Sequence, residues 1–297
     1  MKEEDFISQK QLRDQLDVEV KRVSELFRFI MKYKKQFQPS GVEFSGLRQY
    51  LPSDDASRID WKNSAGKPDM YVKQYDEELD MDVYIILDAS NTMTFGTADK
   101  LKSEYAALVT SSLAYASIDA GLNVGLGIYG KGDKYIMTPR GSMDQYQRVL
   151  DEVTKQSHYG GTFNLESALN DAIGQIKENT SIFIVSDFLE NEGDWKSKMT
   201  LANHKFRHVM SVIIRDLRDY KMPKSGNMHF ESPDGSQTVT VNTHKFAEKF
   251  NEQAAKDEEA LMDKLTSSGC SYLKIDTRDD FSGKFAEYFD SEGEGSW

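Results

Sequence analysis

From Asp82 onward, apolar and polar positions follow two alternating rhythms. VYIILD, SIFIVSD and HVMSVII are short runs of β-branched and other apolar residues with little polar interruption, as expected of strands buried on both faces. Residues 98–120, 142–156, 164–178 and 194–205 repeat their apolar positions at helical spacing, and NVGLGIYG and KYIMTP read as further strands. A long helix over 243–268, the strand YLKI and a helix over 280–289 continue the alternation. The order predicts an α/β fold with a doubly wound, mostly parallel sheet and helices on both faces. Only residues 227–242 break the rhythm, where two β-like runs flank a Pro-Asp-Gly turn and predict an inserted hairpin.

Before this region, Leu12, Leu16, Val20, Val23, Phe27 and Ile30 recur at spacings of three and four, which predicts an amphipathic helix over about 8–37, packed on its own domain. Pro39, Ser40 and Gly41 end it. Residues 41–81 mix glycines, aromatics and both charge signs in short alternating runs, the pattern of a small β-rich extension. The expected organisation is therefore an N-terminal helix in 1–40, the extension in 41–81, the α/β domain in 82–290 and a frayed tail in 291–297.

Charge narrows the partners. With 49 acidic and 37 basic residues in 297, the net charge of -12 repels phosphate backbones and anionic lipid, so nucleic acid and membrane surfaces are poor partners, while cations and basic protein surfaces suit it better. Cys270 is alone, which excludes an intrachain disulfide. The chain begins with Lys2, Glu3, Glu4 and Asp5 rather than a secretory apolar core, and contains no apolar run long enough to span a bilayer. The expectation is a cytoplasmic protein without membrane insertion.

The candidate chemistry lies where strands end. In a doubly wound sheet, ligands bind outside the carboxyl ends of the strands. Asp88 closes the strand VYIIL and Asp187 closes IFIVS, so both carboxylates fall on one edge. Asp88-Ala-Ser90-Asn-Thr92 places oxygen-bearing side chains at every second position, and GGTFNLESAL sets Thr162 behind two glycines before a helix. Each piece alone fits a turn or helix cap. Together they make an all-oxygen set of two carboxylates and three hydroxyls, which suits a hard cation such as Mg²⁺ or Mn²⁺.

These segments resemble the metal-ion-dependent adhesion site of von Willebrand factor A domains, with Thr92 in a position usually held by serine. The resemblance implies that Ser90, Thr92 and Thr162 supply hydroxyl ligands, that Asp88 and Asp187 act directly or through water, and that a partner's acidic side chain fills the open position. A second resemblance is wider. Gly41-x-Glu43-Phe44, Leu47-Arg48-x-Tyr50 and Arg58-Ile59-Asp60-Trp61 ahead of the Asp-x-Ser site, with IIRDLRDYKMPKSGNMHF later, are similar to the prokaryotic family called domain of unknown function 58, over most of residues 40–289. Members of that family are often encoded beside MoxR-type ATPases of the AAA+ class. That implies an adaptor or cochaperone, not an enzyme, working with such an ATPase in protein maturation or remodelling.

Other signals carry less. Gly125-x-Gly127-x-x-Gly130 has dinucleotide-loop spacing but lies inside a strand-like run, and no Walker-type phosphate loop exists. His158, His204, His208, His229 and His244 are scattered, which argues against zinc. Arg48, Arg58, Asp60 and Trp61 fit docking of the extension onto the main domain better than a partner surface, and Asp76, Glu77, Glu78, Asp80 and Asp82 fit a solvated face better than a second metal site. Two alternatives stay open. One is a magnesium phosphatase of the haloacid dehalogenase type with Asp88 as nucleophile, although Ser90 stands where its general acid belongs. The other is a scaffold that binds no metal.

Overall fold

The computed structural model describes residues 12–21, 42–51, 54, 59–64, 69–77, 81–189, 193–232 and 237–293. The chain divides into two compact units, Met1–Met31 with Met81–Trp297, and Lys32–Asp80. The N-terminal helix thus belongs with the α/β body, across the sequence of the smaller unit.

In chain order the elements are α1 (residues 12–21), β1 (Val42–Gln49), α2 (Trp61–Ser64), β2 (Tyr71–Glu77), β3 (Asp82–Asp88), α3 (Lys102–Asp119), β4 (Asn123–Tyr129), β5 (Tyr135–Arg140), α4 (Met143–Val153), α5 (Leu165–Gln175), β6 (Thr180–Ser186), α6 (Trp195–Lys205), β7 (His208–Arg215), α7 (Leu217–Tyr220), β8 (Asn227–Glu231), β9 (Thr238–Asn242), α8 (Thr243–Ser267), β10 (Ser271–Asp276) and α9 (Phe281–Gly293). The predicted helix over 8–37 is described only at 12–21, and the Pro-Asp-Gly turn lies outside the described residues.

In the larger unit, six strands form one sheet in the order β10-β7-β6-β3-β4-β5. All neighbours are parallel except β5, which pairs antiparallel with β4 at one edge. Pro139 is tolerated there because an edge strand has a side that needs no ladder donor. Winding starts at β3, moves outward through β4 and β5, then returns to the other side of β3 to add β6, β7 and β10. The direction therefore reverses between β3 and β6, and a crevice opens at their carboxyl ends.

Strand alternation divides the core into two layers. Tyr84 and Ile86 of β3 join Leu165, Leu169, Trp195, Met199 and Leu265 on the face covered by α5, α6 and α8. On the other face lies α3, buried nearly all round by the sheet and its neighbours, so it shows no polar stripe despite being 18 residues long. On this side α1 buries Leu16 and Val20, and its Asp17 accepts a bond of 3.0 Å from the Tyr146 hydroxyl of α4. Each such apolar side chain, fully buried, contributes about 1.5–3 kcal/mol.

Three expectations change. The helix expected from residue 98 starts at Lys102, because Thr97 is held by Asp216 through its N–H at 2.8 Å and its hydroxyl at 2.7 Å. The short α7 has no counterpart in the periodicity reading. The last helix runs to Gly293, into the segment expected to be tail. The inserted hairpin is present as antiparallel β8 and β9. No helix among the described residues is long and apolar enough to cross a membrane.

In the smaller unit β1 and β2 pair antiparallel. Asp60 caps α2 by accepting the N–H groups of Lys62 and Asn63, both at 3.1 Å.

Candidate metal centre

Asp88 and Asp187 sit where the winding reverses, one at the end of β3 and the other just after β6, and both are fully buried. Asp88 accepts the Ser90 N–H at 2.9 Å on one oxygen and the Ser186 hydroxyl at 2.6 Å on the other. Ser186 also accepts the Phe188 N–H at 2.9 Å, and Asp187 accepts the Leu189 N–H at 2.9 Å. These bonds hold Phe188, a buried residue with a φ of 53°, in the left-handed region that non-glycine residues seldom occupy. Both carboxylates are therefore fixed in direction as well as in position.

The hydroxyls follow from the next turn. Instead of an open loop, residues Asn91–Thr94 form a 3-10 turn with Ser90 at its N-cap. Ser90 and Thr92 bring their hydroxyl oxygens to 3.1 Å from one another. Thr162 is exposed and follows the Gly160-Gly161 pair, which is joined to the Asp88 loop. Gly160 donates to the Ala89 carbonyl at 2.7 Å, Asn91 to the Gly161 carbonyl at 3.0 Å, and Gly161 to the Asn91 side chain at 3.0 Å. Gly160 and Gly161 have φ values of 114° and 67°, so the sequence there needs residues without a Cβ. Hydrogen bonds thus tie the Thr162 loop to the Asp88 loop, while the Thr162 hydroxyl itself makes no bond to the other candidate ligands.

Gly130 completes the junction. A Cβ on it would stand 2.5 Å from both the Ala89 and His158 carbonyl oxygens. The other two glycines of the same motif, Gly125 and Gly127, make room for the Tyr84 ring, which a Cβ would meet at 2.7 Å and 2.6 Å. The spacing is a packing pattern.

A residue absent from the sequence prediction meets Asp187 from below. The Lys102 ammonium, 1% exposed, lies 2.8 Å from one Asp187 oxygen and 3.0 Å from both oxygens of Asp219. Asp219 in turn accepts the Asp216 N–H at 2.8 Å, and Asp216 caps α7 through the Arg218 N–H at 2.9 Å. The signal that points to Lys102 is a cation in the first turn of a helix, where the macrodipole disfavours it unless an anion lies nearby.

Burial, followed by the neighbouring charge of Asp187, pushes the Asp88 carboxyl well above the ordinary carboxylate range, against the donors Ser186 and Ser90. Desolvation and the neighbouring carboxylate thus outweigh the hydrogen bonds that favour the charged form of Asp88. Among the described residues no group of three or more His, Cys, Asp or Glu side chains is arranged for a metal. Two carboxylates beside converging hydroxyls nevertheless fit a hard divalent cation, which binds few carboxylates and completes its shell with neutral oxygens.

Several of the remaining candidates have structural partners. His158 pairs with Glu152 at 2.8 Å and stacks near Tyr135, and His229 bonds Thr240 at 2.8 Å. Cys270 is buried against Ser211, and burial pushes its thiol up to about 11. Arg48 pairs with Asp54 at 2.7 Å, Trp61 is 66% exposed, and Asp82 accepts the Asn123 amide at 2.8 Å. Arg58, Glu78 and Asp80 lie outside the described residues.

Residues 46–260 match the family described as Protein of unknown function DUF58. The chain is similar to uncharacterized proteins of Mycobacterium tuberculosis and Mycobacterium bovis, each 23% identical over 193 residues, covering 63% of this chain and 59% of the relative. It thus spans less than two thirds of the length of those relatives. Among solved structures it is similar to the conserved hypothetical protein BatB from Bacteroides thetaiotaomicron, at 17% identity and a TM-score of 0.44, over 72% of this chain and 100% of that one. An aerotolerance-related membrane protein from Bacteroides fragilis is similar at 18% identity and a TM-score of 0.45, over 71% and 98%.

Proposed function

The chain belongs to the DUF58 family, and from that premise we propose that it is a non-catalytic, metal-dependent protein-binding module of the von Willebrand factor A type. Asp88, Ser90, Thr92, Thr162 and Asp187 hold one Mg²⁺ or Mn²⁺, and a partner's acidic side chain fills the open coordination position. One observation carries the reading. Two fully buried carboxylates lie at the ends of the adjacent strands β3 and β6, at the switch point, beside the Ser90 and Thr92 hydroxyls at 3.1 Å from one another. Lys102 pairs with Asp187 but Asp88 has only neutral donors, so two buried carboxylates share one ammonium, and an all-oxygen donor set beside them suits a hard cation.

The metal supplies a Lewis-acidic contact, and the protein supplies direction and dryness. We further propose that the partner is a MoxR-type AAA+ ATPase in the cytoplasm, with the chain as adaptor or cochaperone; this step rests on family resemblance.

Calorimetric titration of the full chain with Mg²⁺ and Mn²⁺, combined with capture of the candidate ATPase in the presence and absence of chelator, tests both steps. The wild type is expected to bind one cation and to capture the ATPase only with metal, whereas Asp88→Asn does neither and keeps its circular dichroism. Capture that ignores both chelator and substitution would overturn the module. No heat and no thermal stabilisation by either cation would favour the metal-free scaffold, and magnesium-dependent phosphatase turnover lost in Asp88→Asn would favour the enzyme.

A further inference from the structure

We propose that Lys102 is a built-in counter-cation that sets how much negative charge the metal site offers, and hence how tightly it holds a divalent ion. The inference rests on the metal-binding reading above. Lys102 is buried, and its only charged contacts among the described residues are Asp187 and Asp219. Asp187 is one of the proposed ligands. Asp219, at 7% side-chain exposure, belongs to a different element and has no place among them.

Charge counting shows the consequence. With all three carboxyls ionised, Asp88, Asp187 and Asp219 would bring three negative charges into a region with little solvent, and Lys102 returns one positive charge. What is left matches one divalent cation. The ammonium also occupies an Asp187 oxygen from the side of α3 and α7, so it competes with the metal for that carboxylate's charge while holding the carboxylate in place. A salt bridge serving only to position Asp187 makes the opposite prediction from a charge regulator. Removing a positioning residue loosens the ligand and weakens binding; removing a competing cation strengthens it.

Mn²⁺ titration calorimetry on four full-length chains separates these roles. Lys102→Met is expected to bind Mn²⁺ more tightly than wild type, and Asp219→Asn more weakly, each by roughly tenfold. The double variant Lys102→Met with Asp219→Asn restores the original charge count and is expected to return close to wild-type affinity, which keeps the test informative even where Lys102→Met alone folds poorly. Melting temperatures should follow the same order, with the largest metal-induced rise in Lys102→Met. Equal or weaker binding by Lys102→Met, or a double variant that binds clearly more weakly than wild type, would overturn the inference and leave the metal site standing. A wild type that takes up no Mn²⁺ would overturn the metal reading and this inference with it.

Discussion

Gly127 has a steric reason to be glycine that its place in a nucleotide-like spacing conceals. The Tyr84 hydroxyl occupies the space a Cβ would need, so Gly127→Ala is expected to destabilise the fold by about 1–3 kcal/mol, read as a lower urea midpoint. Tyr84→Phe in the same chain should recover part of that loss, since it removes the atom in closest conflict. Gly130 behaves differently. The atoms facing it are the backbone oxygens of Ala89 and His158, which cannot swing aside like a side chain. Gly130→Ala should therefore part the Asp88 loop from the Gly160 loop and weaken Mn²⁺ binding more than it lowers the melting temperature. Residue identity made Asp88 and Asp187 legible in the sequence, because a carboxylate ending an apolar run can be placed on a sheet edge without further information. Lys102 was not legible in that way. Its partners lie 85 and 117 residues further along the chain, and only folding reveals them.

At the scale of elements, the long buried strands and helices followed from periodicity, since a run such as VYIIL can only be satisfied inside a sheet. What periodicity missed were the pieces built by polar side chains: α7, too short to show a repeat, and the late start of α3. Both depend on Asp216. Burial works against its charge, but the N–H of Arg218, the hydroxyl and N–H of Thr97 and the hydroxyl of Thr277 together draw the carboxyl below its ordinary range. A folded-state value depressed below the unfolded one adds stability that is fully present above the unfolded value and disappears as pH falls through the folded one. The stability advantage of wild type over Asp216→Asn is thus expected at neutral pH and should shrink below about pH 4, where the unfolded carboxyl begins to protonate. Urea titrations of both proteins at pH 3 and pH 7 measure the difference.

Across the whole molecule, the order of the strands lay beyond the hydropathy pattern, which predicts that strands are parallel but not which ones touch. The amphipathic spacing predicts that α1 packs on its own domain, but not that it joins the α/β body on the far side of the smaller unit in sequence. Leu16 is 3% exposed there, and Leu16→Ala is expected to cost about 2–5 kcal/mol in chemical denaturation of the larger unit, a loss that a helix merely lying on the surface would not produce. The pairing of β3 with β6 also has a consequence in time. Asp82 meets Thr180 across nearly a hundred residues of intervening chain, so the two halves of the proposed cation site are joined by one of the slower closures the chain must make. A bound ion then has nothing to grip until that closure is complete. It should act as a latch on a door already shut, leaving the refolding limb of the kinetic profile where it was and slowing only the escape from the native state.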